Sequence, residues 1–371
     1  MTISIFSITE NGLRIAEKLA SGLGSSDIYT LDDVRKRGLP RLVKRAFRES
    51  EGLIFIMATG IVVRTIAPFI NGKGRDPAVV VVDEKGKHAI SLLSGHLGGA
   101  NELAREVGGL IGARPVITTA TDVNGLPCIE DIARRFNCTI EDIKGIKYVN
   151  SAIVNGGSVA FVDNDTNRLR AIEEALFKEV SSSRFLVNSG KVRVRRKAAR
   201  RGPHYRFFRY LSQAIKVRKD AVVVITNKIL SKSQLPAHNS LLLRPKDTVV
   251  GIGCDRGVRM MEVKDAFDSV LKKWDLSPLS VRNLASIDIK SSERGLLAFA
   301  RRYKLSIEFY SKGELAEMPL PSGASAFVMG KVGVGGVCEP AALRSAHTKK
   351  IWIRKQKIGR VTVAASKVPF T

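Results

Sequence analysis

Short runs made only of apolar residues, each leading through a turn into a segment with helical spacing, constrain this chain more than any other feature. Residues 53–57 (LIFIM) and 78–82 (AVVVV) carry no polar side chain. A strand with one solvated face alternates apolar and polar residues. An unbroken apolar run of this length therefore points to a strand buried on both faces, as in a parallel sheet covered by helices. The spacing predicts strands over 3–8, 53–57, 78–82, 89–93 and 116–119, and helices over 12–20, 61–66 and 102–110. The polar turn Asp83-Glu84-Lys85-Gly86-Lys87 joins two of these strands as a hairpin.

The pattern thins over the middle of the chain, where a helix near 130–136, a strand near 158–162, a helix near 169–180 and a strand over 221–226 are readable. Residues 231–244 read as the approach to a new domain. That domain opens on TVVGIG (248–253), continues with a helix over 258–274, a strand over 281–287, a helix over 291–302 and a strand over 305–310, and closes on an antiparallel pair, 351–355 with 360–364. The fold class is α/β and multi-domain, with layered sheets and flanking helices in the N-terminal and C-terminal domains. At 371 residues the chain exceeds one ordinary core. The expected division is an α/β domain over 1–121, a basic middle region over 122–230 and an α/β domain over 245–371.

No stretch approaches the roughly 20 apolar residues needed to span a bilayer, and residues 1–9 (MTISIFSIT) read as an opening strand rather than a secretion signal. A cytoplasmic protein without membrane contact is expected. Cys128, Cys138, Cys254 and Cys338 are widely spaced with no C-x-x-C pair, and only five histidines are present. That argues against a disulfide framework and a structural metal.

The formal net charge is +26, concentrated in 12 Lys or Arg among the 29 residues 191–219 and 8 more after Glu339, with no acid in either stretch. Such a field draws polyanions: nucleic acid, an anionic membrane, or a small molecule with many carboxylates or phosphates. A solvated, highly charged surface explains the runs equally well. Tyr205, Phe207, Phe208 and Tyr210 among the arginines keep RNA open, although aromatics alternating with Arg also describe a half-buried strand.

Three glycine-bearing turns between strand and helix could offer backbone N–H groups to an anion: Thr59-Gly60, residues 95–101 and residues 251–257. Packing is the stronger reading of any one of them, since tight strand-to-helix turns need glycine whether or not they bind anything. Gly251-x-Gly253-x-x-x-Gly257 misses the dinucleotide spacing, and neither G-x-x-x-x-G-K-[ST] nor G-x-S-x-G occurs. A nicotinamide cofactor, a nucleotide-hydrolysing loop and a serine nucleophile elbow are therefore not expected. The turn after 89–93 is richer. It carries Gly95, His96, Gly98, Gly99, Asn101 and Glu102, while Thr118, Thr119, Thr121 and Asp122 end the next strand. Ligands of open α/β sheets gather beyond the carboxyl ends of strands, so both clusters could face one cleft. The plainer reading makes His96 a hydrogen-bonded structural histidine and Asp122 the cap of a turn.

Residues 58–64 (ATGIVVR) with Ala67-Pro68, 76–84 (DPAVVVVDE), 91–101 (SLLSGHLGGAN) and 115–122 (PVITTATD) resemble, in order and spacing, the amino-terminal domain of the cobalt-precorrin-5A hydrolase family, cobalamin biosynthesis protein G. Residues 251–254 (GIGC), 284–290 (LASIDIK), 293–296 (ERGL) and 337–343 (VCEPAAL) resemble its carboxy-terminal domain. The resemblance implies water-dependent opening of a δ-lactone on a cobalt-bound corrin precursor, with loss of acetaldehyde. It implies no cofactor, cobalt entering as part of the substrate. A polycarboxylate corrinoid suits the basic balance through charge-assisted hydrogen bonds.

Lactone hydrolysis needs a base, oxyanion donors and an acid. On this resemblance His96 is the candidate base, the Gly98, Gly99 and Ala100 amides the oxyanion donors, and Glu102 or Asp122 the orienter or acid. Arg64 and the hydroxyls of Thr118, Thr119 and Thr121, with Thr59, Gly60, Gly95 and Asn101, are the candidate substrate contacts. The family's carboxy-terminal domain resembles a free-standing protein of the aerobic pathway, which implies a holding role for Lys290, Glu293 and Glu339. An acyl-enzyme on Cys254 or Cys338 is the rival mechanism. Other cobalamin-pathway enzymes and a second copy of the chain are the candidate protein partners; nucleic acid is not expected as one. An RNA-binding protein using 191–219 and a non-catalytic corrinoid carrier or scaffold are the competing functions.

Overall fold

The apolar runs of the first unit pair as the buried middle of a six-stranded sheet. The computed structural model describes residues 2–72, 74–185, 203–215, 219–235 and 239–370. The described residues divide into two compact units, those up to 131 with 179–185, and 132–178 with those from 203 onward.

The first unit holds β1 (Ile3–Ser7), β2 (Ser26–Tyr29), β3 (Gly52–Ile56), β4 (Ala78–Val82), β5 (His88–Leu93) and β6 (Arg114–Val116), in the order β2-β1-β3-β4-β5-β6. Every residue of β1, β3 and β4 is buried, which is why their sequences do not alternate. Ile54, Ile56, Val80 and Val82 face Leu19 and Leu103 of the helices Glu10–Leu23 and Ala100–Ile111. Leu53, Phe55, Val79 and Val81 face Val43 and Val62 of the helices Leu39–Glu49 and Thr59–Ile66. Each of these fully buried aliphatic or Phe side chains contributes roughly 1.5–3 kcal/mol of transfer free energy.

One reversal positions the site. Strands β1 to β4 are parallel, but β5 returns antiparallel to β4 through the predicted hairpin, and β6 runs parallel to β5. The carboxyl ends of β5 and β6 therefore emerge at the edge where β3 and β4 begin. Ile56, at the exit of β3, pairs with Val82 and so lies level with Ala89, at the opposite edge. A five-residue strand separates those edges by about 13 Å.

In the second unit, β7 (Cys138–Ile140), β8 (Ser158–Asp163), β9 (His204–Phe208), β10 (Ala221–Ile225) and β11 (Ser240–Pro245) form a sheet of order β7-β11-β10-β8-β9. Another is built from β12 (Thr248–Cys254), β13 (Val281–Ile287), β14 (Ser306–Tyr310), β15 (Ile351–Ile358) and β16 (Val361–Lys367), in the order β14-β13-β12-β16-β15, with β15 and β16 antiparallel as expected.

Two expectations change here. The segment 231–244 is not only an approach to a new domain, because β11 pairs parallel to β10 inside the preceding sheet. Its Arg244 is buried, donating from Nε to Glu141 at 2.6 Å across 103 residues of sequence. Such a partnership leaves no local signal. The aromatics of 205–208 belong to β9, where the Tyr205 and Phe207 rings lie 6.1 and 5.8 Å from that of Phe161. Rings packed into a sheet in this way are not free platforms for bases. The rest of the basic run, 191–202 and 216–218, lies outside the described residues.

Candidate active site

His96 sits in the turn that follows β5, and the turn is tightly folded. Ser94 adopts φ 59°, in the left-handed region, and its hydroxyl donates to the Asp76 carbonyl at 3.0 Å. The Asp76 carboxylate in turn accepts from the Asn71 and Gly72 amides at 2.8 and 2.9 Å. A Cβ on Gly98 would lie 2.4 Å from the Ser94 Cβ, so that glycine is demanded by packing. The Gly99 amide donates to the His96 carbonyl at 3.2 Å and the Ala100 amide to the Ser94 carbonyl at 3.1 Å. These two donors close the turn, and the expectation that they serve an oxyanion is corrected accordingly: an amide with an internal acceptor has no second proton to offer.

The turn after β6 comes alongside. Asn101, fully buried at the start of its helix, donates from Nδ2 to Thr119 Oγ1 at 3.0 Å and to Asp122 Oδ2 at 3.1 Å, and accepts from Ser91 Oγ at 2.7 Å. Asp122 also accepts from Thr119 Oγ1 at 2.6 Å and from Arg105 at 2.5 Å. Burial pushes the Asp122 carboxyl up, but the hydrogen bonds from Thr119 and Arg105 and the charges of His96 and Arg105 outweigh it, holding it below its ordinary 3.8. It is therefore a carboxylate at neutral pH.

His96 Nε2 lies 3.0 Å from Thr121 Oγ1 and 3.4 Å from Asp122 Oδ2, and its Nδ1 lies 3.4 Å from Cys128 Sγ. The His96 and Asp122 side chains keep 12% and 16% of their surface exposed, so the pair stands at the rim of the sheet rather than sealed in the core. A carboxylate beside Nε2 favours the tautomer with its proton there, leaving the Nδ1 lone pair directed toward Cys128. Cys128 itself is buried, and burial, aided by the charges of Glu130 and Asp131, pushes its thiol far above the ordinary range. It is a neutral thiol, not a ready nucleophile.

The remaining predicted residues are distributed as follows. Gly95 belongs to the cluster, since a Cβ there would meet Asn101 Oδ1 at 2.9 Å. Glu102 pairs with Arg105 at 3.7 Å on the same helix, and Thr118 is exposed in the turn before Thr119. Thr59, Gly60 and Arg64 follow β3 and lie at the opposite edge of the sheet, where the Arg64 guanidinium folds back over Gly60. The antiparallel β5 separates them from His96.

Lys290, Glu293 and Glu339 belong to the second unit. Glu293 accepts from the Gly257 amide at 3.1 Å and pairs with Lys290 at 3.8 Å, tying down the turn after β12. Glu339 is buried, accepting from Ser322 Oγ at 2.7 Å and the Lys355 amide at 3.0 Å. Gly251 faces no ligand either: a Cβ there would come within 1.8 Å of the Cys338 carbonyl, so the helix Cys338–Ser345 requires it. Burial pushes the thiols of Cys254 and Cys338 up to about 11.

Sequence reasoning missed Arg105 and Cys128. Arg105 follows Asn101 by one helical turn, a spacing that could have revealed it. Cys128 lies 32 positions from His96 with nothing between them to signal contact.

Three family models cover most of the chain: "Cobalamin synthesis G N-terminal" over residues 41–122, "Cobalamin biosynthesis central region" over 127–245, and "Cobalamin synthesis G C-terminus" over 248–366. The chain is 31% identical to the cobalt-precorrin-5A hydrolase of Priestia megaterium across 99% of its own length and 95% of that protein. It is 32% identical to the cobalt-precorrin-5A hydrolase of Salmonella typhimurium across 92% of its length and 91% of that protein. It is also 30% identical, over 124 residues, to protein CobE of a Sinorhizobium species, covering 33% of this chain and 80% of that one. With all three segments matched in order and full-length relatives above 30% identity, the chain belongs to the cobalamin synthesis G family.

Proposed function

We propose that this chain hydrolyses cobalt-precorrin-5A, opening its δ-lactone and releasing acetaldehyde. The observation that carries the reading is the His96 imidazole, fixed through Nε2 by Thr121 and the charged Asp122 at the exposed rim of the first sheet. Support also comes from the full-length relatives that bear this activity in their names.

Water that takes the place of the Cys128 thiol at His96 Nδ1 gives up a proton to that nitrogen as its oxygen attacks the lactone carbonyl. Collapse of the tetrahedral adduct breaks the ring C–O bond, and the proton passes to the departing alkoxide. The products are a carboxylate and a hydroxyl-bearing two-carbon branch; as that hydroxyl loses its proton, its carbon becomes the carbonyl of acetaldehyde, the C–C bond to the macrocycle breaks, and the electron pair stays with the ring carbon, which takes up a proton. Asp122 keeps its charge throughout, orienting His96 and stabilising its protonated form.

The surplus of 26 positive charges favours a macrocycle lined with acetate and propionate groups. Cobalt enters and leaves with the corrinoid. No described helix is long and apolar enough to cross a membrane. The reading puts the chain in the cytoplasm beside the enzymes that supply and consume its corrinoid. A homodimer also remains part of it, and sedimentation measures that state.

Incubation with cobalt-precorrin-5A under anaerobic conditions, with acetaldehyde trapped as a hydrazone, tests the reaction. One equivalent of acetaldehyde per corrinoid is expected. Stoichiometric binding with none released would make the chain a carrier.

A further inference from the structure

His96 Nδ1, Cys128 Sγ and an Asp131 carboxylate oxygen converge, all within 4.8 Å of one another, beside the nitrogen to which the base mechanism assigns the water. We propose that these three atoms form a binding site for a divalent transition metal of the zinc class, Cys128 releasing its proton to solvent as the metal binds and one coordination position staying open. The proposal deepens the hydrolase reading, on which its catalytic role rests, and departs from the metal-free expectation drawn from cysteine and histidine spacing.

Three features of the geometry support it. A tetrahedral zinc with Zn–S of about 2.3 Å and Zn–N of about 2.0–2.1 Å sets sulfur and nitrogen about 3.5 Å apart. Cys128 Sγ and His96 Nδ1 are already at 3.4 Å. Secondly, histidines that bind metal through one ring nitrogen characteristically give the other N–H to a carboxylate or similar acceptor, which fixes the ring. Thr121 Oγ1 and Asp122 Oδ2 stand at Nε2, and Asn101, Arg105 and Thr119 hold Asp122 in turn. Finally, a soft sulfur, an imidazole and a single carboxylate make a donor set that favours zinc over calcium or magnesium. Three protein ligands with an open fourth position are the arrangement of catalytic rather than structural zinc. Water bound there would have a pKa of about 7, so that hydroxide would be delivered to the lactone without direct proton abstraction by His96.

Cobalt(II) titration of the chelator-treated full-length chain, without corrinoid, tests the site independently of lactone chemistry. One equivalent should bind, with a thiolate-to-cobalt charge-transfer band that Cys128→Ser abolishes and Cys254→Ser leaves intact. Asp122→Asn should keep the band while weakening affinity about 10- to 100-fold, as loss of an outer partner does. Circular dichroism establishes that each variant is folded. Absence of the band in the unaltered chain, or its persistence in Cys128→Ser, overturns the proposal. If acetaldehyde release continues in the metal-free chain, the metal's role falls while the hydrolase reading stands. If metal binds as expected and no lactone is opened, the site stands and the hydrolase reading falls.

Discussion

Replacing Asp122 with Asn removes one oxygen acceptor and the charge from a group that four side chains approach. The amide oxygen can take the place of Oδ2 and keep Thr119, Asn101 and His96, which lie 2.6, 3.1 and 3.4 Å away. The amide NH2 then stands where Oδ1 accepted from Arg105, donor against donor. Arg105 is 49% exposed and can turn to water, so that loss is at most about 1 kcal/mol. The other bonds fall from charge-assisted to neutral, and the whole change should cost about 2–3 kcal/mol of local stability.

Because the folded carboxyl titrates below its ordinary 3.8, its contribution is complete above about pH 4 and is lost as pH falls through the lowered folded value. The difference between wild type and Asp122→Asn should therefore be constant at neutral pH and shrink in acid. Both tryptophans, Trp274 and Trp352, lie in the second unit, so fluorescence does not report this site. Hydrogen exchange read by mass spectrometry on peptides covering β5 and the helix Ala100–Ile111 does. An Asn variant as protected as wild type at neutral pH, or a difference that grows in acid, would refute the reasoning.

His96→Ala should lower the rate of acetaldehyde release by about 10² or more, measured in single turnover, with corrinoid binding retained. Cys254→Ser and Cys338→Ser should leave release in place, since burial keeps both thiols protonated; loss of activity in a folded variant of either would revive the acyl-enzyme route. Gly251→Ala should destabilise the second unit by about 1–3 kcal/mol in denaturant titrations followed by Trp fluorescence, because its Cβ overlaps the Cys338 carbonyl. Glu339→Gln should be destabilising in the same assay by about 1–3 kcal/mol, since Oε1 accepts from Ser322 Oγ and the Lys355 amide while Oε2 accepts from the Ser322 amide, so an NH2 in either place meets a donor.

What the sequence revealed follows the range of the interactions concerned. Strands β3 and β4 were legible because burial on both faces removes polar residues from the run itself. The turn of His96 was legible because it follows a readable strand, β5; the strand expected over 116–119 lies instead at Arg114–Val116, so the turn that carries Asp122 begins earlier than its spacing suggested. The position of Thr59, Gly60 and Arg64 relative to His96 was not legible although the hairpin was recognised, since its reversal sends the β5 and β6 exits to the other edge. Spacing gives a turn without saying which edge it faces. Arg244 with Glu141 and His96 with Cys128 were illegible because their partners are 103 and 32 positions away. A hydrogen bond across such a distance imposes no period on the chain. The glycines at 98 and 251 looked like anion-binding turns, whereas their missing Cβ atoms make room for a serine and a helix backbone.

The most direct test is a structure of the chain with the lactone-bearing corrinoid bound at low temperature. The lactone carbonyl carbon should lie about 3–3.5 Å from a water or hydroxide held beside His96 Nδ1, with Asp122 still against Nε2. A macrocycle seated with its lactone away from the turns after β5 and β6 would contradict the account.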